Sequence, residues 1–429
     1  MSGTRPKADF QLKLVKWSAY DPKATLVKKV KLARTILKAG SLALFWALAA
    51  LITGCSTVDS GGTDSPPYVT SSSLLRIVSA NDGDANRGRG RELPDSITVI
   101  DLSPDAPPLT RTVSGTVPNT FAGAPSSAIL SGGRYAVIPN HPWGMEDDKG
   151  RLPSQVSVVD LDALDLPVVA TLPLPNHAWQ VMAHPDGERA IAISDHRFHL
   201  IQVESGQPAI VSQSEPFPLY LTSFAISPDG HSIIATAAEE LAYSTAVELH
   251  LFILDGNTIR HVVQIGIDPA VGEIDQPFAP RFSPDGSRAL VLNGLGIAAR
   301  PPLDAVLSVD MTLETPRVTE AIPNVAQGLE SAAFHPSGNF AVITCIDGPY
   351  IGHLAVVDLT VSPMQLLYYL PMAFVAQGIE FSPDGKMLFV QANMAHHIDV
   401  YSVNGMKLVR GPYVIRTGDG PASMALSPL

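Results

Sequence analysis

Imidazole, indole and carboxylate side chains recur in this chain just after or just before apolar runs. After such runs stand His141 with Trp143, Asp195 with His196, Glu239, Asp347, and Asn393 with His396. Before them stand His177 with Trp179, and Glu330. Carboxylates in such a set favour Ca²⁺ or Mg²⁺ and imidazoles favour Zn²⁺, so a divalent cation is one cofactor it could hold. The same groups could instead orient a protein or a small ligand. A plainer account competes, because Asp and Asn at strand ends commonly satisfy turn backbone groups. The run Asp82-Gly-Asp84-Ala-Asn86 opens like a calcium loop, but Arg87 stands where the turn glycine belongs and no Glu closes it. No Ser/His/Asp constellation, phosphate loop or close metal-ligand spacing stands out.

The elements that must position these residues are legible from a repeat. Six times an apolar run ends in a variant of Ser-Pro-Asp-Gly and a second apolar run follows: Leu130–Gly133, His184–Gly187, Ser227–Gly230, Ser283–Gly286, His335–Gly338 and Ser382–Gly385. A truncated copy, Ala425-Leu-Ser-Pro428, lies near the end. Pro presets the first turn angle and Gly supplies the positive φ, so the tetrapeptide is a turn between strands. A period of roughly 45 to 55 residues carried by short strands signals a β-propeller with one blade per repeat. Each repeat reads as four strands. In the fourth these are Thr222–Ser227, Ser232–Ala237, Val247–Leu254 and Ile259–Ile265. The first strand, Leu74–Ser79, lacks an inner neighbour and the last, Ala422–Pro428, lacks an outer one. Pairing them completes blade 1. The expected fold is therefore an all-β, seven-bladed β-propeller of four-stranded blades, closed by the N- and C-terminal strands.

In such a fold the Pro-Asp-Gly turns lie on one face and read as structural, while the loops on the other face gather the residues named above. One position in the innermost strands breaks pattern. Two residues before the Ser or His of each turn stand Ile129, Met182, Ala225, Ala333 and Ala425, but also Arg281 and Glu380. A lone buried charge is costly, so each of these two must find a partner or reach a wet central channel.

The N-terminal 54 residues differ in kind. Basic residues from Lys28 to Lys38 precede the apolar run from Ala39 to Ile52, which is short for a span of roughly 20 residues. Residues 1–54 carry ten Lys or Arg, leaving 19 basic and 39 acidic residues beyond them. So acidic a remainder excludes nucleic acid as a partner. Residues 55–73 are rich in Ser, Thr, Gly, Asp and Pro and read as a flexible tether. Beyond Cys55 the chain has only Cys345, inside an apolar run, which reads as packing. No Cys-x-x-Cys-His occurs, so covalent c-type haem is excluded.

Ile52-Thr-Gly-Cys55 resembles the lipobox of bacterial lipoprotein signals. That resemblance implies removal of residues 1–54, acylation of Cys55 and a membrane anchor; Ser56 after it implies the outer membrane, facing the periplasm. Residues 74–429 resemble the seven-bladed YVTN-type and lactonase-like propellers and, more distantly, the heavy chain of methylamine dehydrogenase. The matching pieces are the Pro-Asp-Gly turns, strands like Val156-Ser-Val-Val-Asp160, and Gly418-Asp-Gly-Pro421. The name-giving Tyr-Val-Thr-Asn is degenerate, as in Ala136-Val-Ile-Pro-Asn140, Ala192-Ile-Ser-Asp195 and Phe389-Val-Gln-Ala-Asn393. These motifs specify a fold and leave three functions open: an envelope lipoprotein binding a protein or small ligand, a lactonase-like hydrolase, and a periplasmic redox subunit.

Overall fold

The computed structural model describes residues 74–83, 95–104, 106–114, 127–139, 154–175, 178–239, 247–272, 274, 276–294, 304–346, 351–373 and 375–429. The proposed signal, Cys55 and the tether lie outside them. Among the described residues no helix is long and apolar enough to cross a membrane.

The strands form seven sheets, one per repeat, antiparallel but for one short edge pair. The innermost strands are Pro421–Pro428, Ala128–Leu130, Ala178–Ala183, Tyr220–Ile226, Pro277–Phe282, Gly328–Phe334 and Ala376–Phe381, for blades 1 to 7 in turn. Each touches the next, and the seventh touches the first, so the ring is closed. Closure is the one expected: Leu75–Asn81 pairs on one side with Ser96–Ser103 and on the other with Pro421–Pro428, Val78 opposite Ala425. Polar groups reinforce this seam. Gln391 of blade 7 donates to the Ser79 hydroxyl at 2.7 Å and the Ser423 carbonyl at 3.0 Å.

Seven apolar clusters fill the gaps between neighbouring blades, one per gap. Strand periodicity explains why the middle strands read as nearly continuous apolar runs. Successive side chains point to opposite faces, and in a propeller both faces of a blade are covered. In Phe340–Ile346, Ala341, Ile343 and Cys345 join the cluster shared with blade 5. Phe340 and Val342 join the one shared with blade 7. Cys345 is thus a fully buried packing residue. Outer strands such as Gln207–Gln213 alternate exposed and half-buried instead.

The fourth blade's strands are Tyr220–Ile226, Ser232–Ala238, Val247–Asp255 and Thr258–Gln264, within two residues of the expected bounds. Blade 5 departs from four strands. Gly266–Ile267, in the connection leaving blade 4, pairs parallel with Arg317–Val318 and adds a short outer edge.

Candidate functional site

The two charges that break the apolar pattern of the inner ring find each other. Arg281 Nη2 donates to Glu380 Oε1 at 2.9 Å, and its Nε donates to the Ala332 carbonyl at 3.1 Å. The pair reaches from blade 5 to blade 7 across the inner strand of blade 6. Both side chains keep some open surface, 15% for Arg281 and 27% for Glu380. Burial nevertheless raises the Glu380 carboxyl above its usual range, with Arg281 opposing. The two facts agree if the open surface faces a narrow, protein-walled lumen, where charge acts strongly, rather than bulk water.

A second acidic group lies further along the same strands. Glu330 precedes Ala332 by two residues and is buried within Gly328–Phe334. Desolvation, then the neighbouring Asp304, push its carboxyl up to about 8, while a hydrogen bond with the Gln377 side chain opposes them. Glu330 is therefore largely protonated and neutral at pH 7. Asp304 opens the strand Asp304–Asp310 of blade 5, and its Oδ2 accepts the Leu329 amide at 3.3 Å. Gly294 makes room for it, since a Cβ there would collide with the Asp304 carboxylate. Gln377 comes from the inner strand of blade 7 and precedes Glu380 by three residues. Blades 5, 6 and 7 thus each contribute to both groups, the neutral acid beside a carboxylate and the ion pair.

Sequence reasoning singled out Glu330, Arg281 and Glu380 but missed Asp304 and Gln377. Asp304 follows an unremarkable Pro-Pro-Leu run, and Gln377 sits in a strand whose bulge falls between Ala376 and Ile379. Neither position carries a pattern. Two placements differ from expectation. Glu330 and Trp179 lie inside inner strands, not in connecting loops. In both cases the strand begins earlier than its apolar run suggests, because the inner ring accepts polar groups at one end.

The other described candidates serve the frame. Trp179 packs against the cluster between blades 3 and 4. Asp195 has a left-handed backbone, and its carbonyl accepts the Leu221 amide at 2.6 Å. His196 Nδ1 donates to the Leu219 carbonyl at 2.9 Å, and its ring lies against Tyr220. Asn393 Nδ2 donates to the Pro421 carbonyl at 3.1 Å, and His396 Nδ1 accepts the Gly420 amide at 3.1 Å. Those two hold the connection into the closing strand. Glu239 is exposed. His141, Trp143, His177 and Asp347 lie outside the described residues. Among the described residues, no three His, Cys, Asp or Glu side chains form a group able to hold a metal ion.

The Pro-Asp-Gly face is not featureless. A cavity of about 380 Å³ opens there between the turns of blades 5 and 6, with Phe334 and Leu359 among its apolar lining and Arg288, Ser337 and Asn339 among its polar lining.

No family model and no curated protein matches the chain in sequence. Solved structures do match in shape. A candidate 6-phosphogluconolactonase of Bacteroides fragilis is 14% identical with a TM-score of 0.60, over 84% of this chain and 99% of that one. A candidate enzyme of the same description from Bacteroides uniformis is 17% identical with a TM-score of 0.60, over 82% and 99%. The periplasmic gluconolactonase of Pseudomonas aeruginosa is 13% identical with a TM-score of 0.56, over 83% and 99%. The chain is a seven-bladed β-propeller with lactonase-type propellers among its structural neighbours.

Proposed function

We propose that this protein is an envelope-anchored lipoprotein whose propeller binds a small molecule at the blade 5–7 sector of its central opening. The observation that carries this reading is that the neutral Glu330 acid beside Asp304 and the Arg281–Glu380 pair are built from the same three blades. Two carboxyls raised by burial, Glu330 and Glu380, come from neighbouring blades and meet partners from a third, and perturbed carboxyls of this kind cluster at functional sites. A neutral acid, an amide and confined charges suit a hydroxyl-rich neutral ligand or a cation, whereas an anion would meet Asp304 and Glu380. Thermal-shift screening against sugars, sugar lactones and polyamines tests the reading. A stabilising compound should lose its effect in Glu380→Gln and Glu330→Ala. Equal stabilisation of wild type and both variants would place the ligand elsewhere.

A second reading, lactone hydrolysis, is favoured by the Glu330 proton, which a carboxyl near pKa 8 can lend to a carbonyl oxygen at neutral pH. The lactonase descriptions of the structural neighbours point the same way. Purified protein and gluconolactone in a pH-stat distinguish the two. Turnover above the spontaneous rate, cut about 100-fold by Glu330→Gln, supports hydrolysis; a wild-type rate equal to background leaves binding alone.

A further inference from the structure

We propose that His250 and His261, on the outer part of blade 4, form an open binding site for a late first-row divalent metal ion such as Zn²⁺. The site is separate from the channel and does not depend on the reading above.

Its geometry begins with a β-bulge. Strands Val247–Asp255 and Thr258–Gln264 pair with Leu251 opposite Val263 but Phe252 opposite His261, leaving Val262 as the extra residue. Without that insertion, Val262 would oppose Phe252 and His261 would point to the other face of the blade. With it, His261 shares a face with Glu248, His250 and Phe252. Similar shifts occur in the outer strand pairs of other blades, as between Leu200 and Ile201 or Val356 and Val357. Here the shift brings two imidazoles together.

The nitrogen atoms then converge. His250 Nδ1 lies 3.2 Å from His261 Nε2. Two nitrogens bound to one tetrahedral zinc, each at about 2.0–2.1 Å, are separated by about 3.3 Å. The other nitrogen of His250, Nε2, lies 3.0 Å from Glu248 Oε2. A carboxylate can only accept, so Nε2 carries the hydrogen and Nδ1 keeps its lone pair towards His261. This carboxylate–imidazole arrangement is the one that orients metal-bound histidines. Phe217 packs against both rings, edge-on to His250 at 4.9 Å and tilted to His261 at 5.0 Å by centroids, and limits their rotation. His261 is exposed, so an ion has access, and water would complete its coordination.

Tag-free protein titrated with Zn²⁺ by calorimetry, and with Co²⁺ by visible absorption, tests this site. Wild type should bind one ion and melt at a higher temperature with Zn²⁺. His261→Ala, at an exposed position and so expected to fold, should weaken binding at least tenfold and abolish the shift. Glu248→Gln should weaken it about tenfold through His250. Glu380→Gln should leave it unchanged. No Zn²⁺ binding below about 1 mM, or binding indifferent to His261→Ala, would overturn the proposal.

Discussion

Glu330 shows how strongly position overrides residue type. A carboxyl that is ionised at neutral pH on a surface is held as a neutral acid by burial and by Asp304. Its folded value near 8 lies above the unfolded value of 4.5, so the folded state holds a proton that the unfolded state has released between those limits. Stability should therefore fall as pH rises from about 4.5 to about 8 and level off above, by up to a few kcal/mol. Glu330→Gln removes this dependence. It should melt close to wild type near pH 5 and clearly above it near pH 8.5, and parallel melting curves at both values would count against the protonated state. The ion pair behaves differently. Glu380→Ala leaves Arg281 without its carboxylate in a confined space and should cost about 3 kcal/mol or more, whereas removing both charges should cost less than the sum of the single changes. Chemical denaturation of the two single variants and the double variant measures the coupling.

The turns show the same economy at the level of elements. Two of the six repeats replace the leading Ser of the turn with His, and both histidines reach the following blade. His184 Nε2 donates to the Gly230 carbonyl at 3.2 Å, and His335 Nε2 donates to the Gly385 carbonyl at 3.1 Å. Each ring latches one turn to the next. Gly230 is doubly constrained: its φ is +78°, and a Cβ there would strike the His184 ring. Gly256 also has positive φ, +60°, but open space around it. Gly256→Ala should cost about 1–2 kcal/mol from backbone strain alone. Gly230→Ala should cost measurably more, and His184→Ala should relieve part of that excess. Equal losses at Gly230 and Gly256, read from urea midpoints, would show that the latch is slack.

The whole molecule depends on its last strand. Deleting Pro421 to Leu429 removes the inner strand of blade 1, the Ser423 and Pro421 acceptors of blade 7, and half of the closing seam. Exposed edges on both sides of the break invite association between chains. The truncated protein should be recovered aggregated or without a cooperative melt. Deleting Thr57 to Pro66, a stretch with little to bury, should leave the melting temperature nearly unchanged. Identical behaviour of the two deletions in light scattering and calorimetry would contradict closure as the source of stability. At the other end, intact-mass measurement of membrane-extracted protein should find a chain beginning at an acylated Cys55. A chain that keeps earlier residues, or an unmodified cysteine, would remove the anchor from the proposal.

The repeat, the strands and the closing pair were legible in the sequence because each rests on local chemistry. Pro-Asp-Gly dictates a turn wherever it occurs, and a middle strand covered on both faces is mostly apolar. Even the misfit of Arg281 and Glu380 stood out, since the other five repeats place an apolar residue at that position. Their pairing did not, because 99 residues separate them and only ring closure sets blades 5 and 7 on either side of blade 6. Asp304, Glu330 and Gln377 converge for the same reason, from three different repeats. His196, Asn393 and His396 have the side chains of a site, but neighbouring backbone groups occupy them. Whether a polar group faces a ligand or a carbonyl is decided by its partners in space, and the tertiary structure alone supplies those partners.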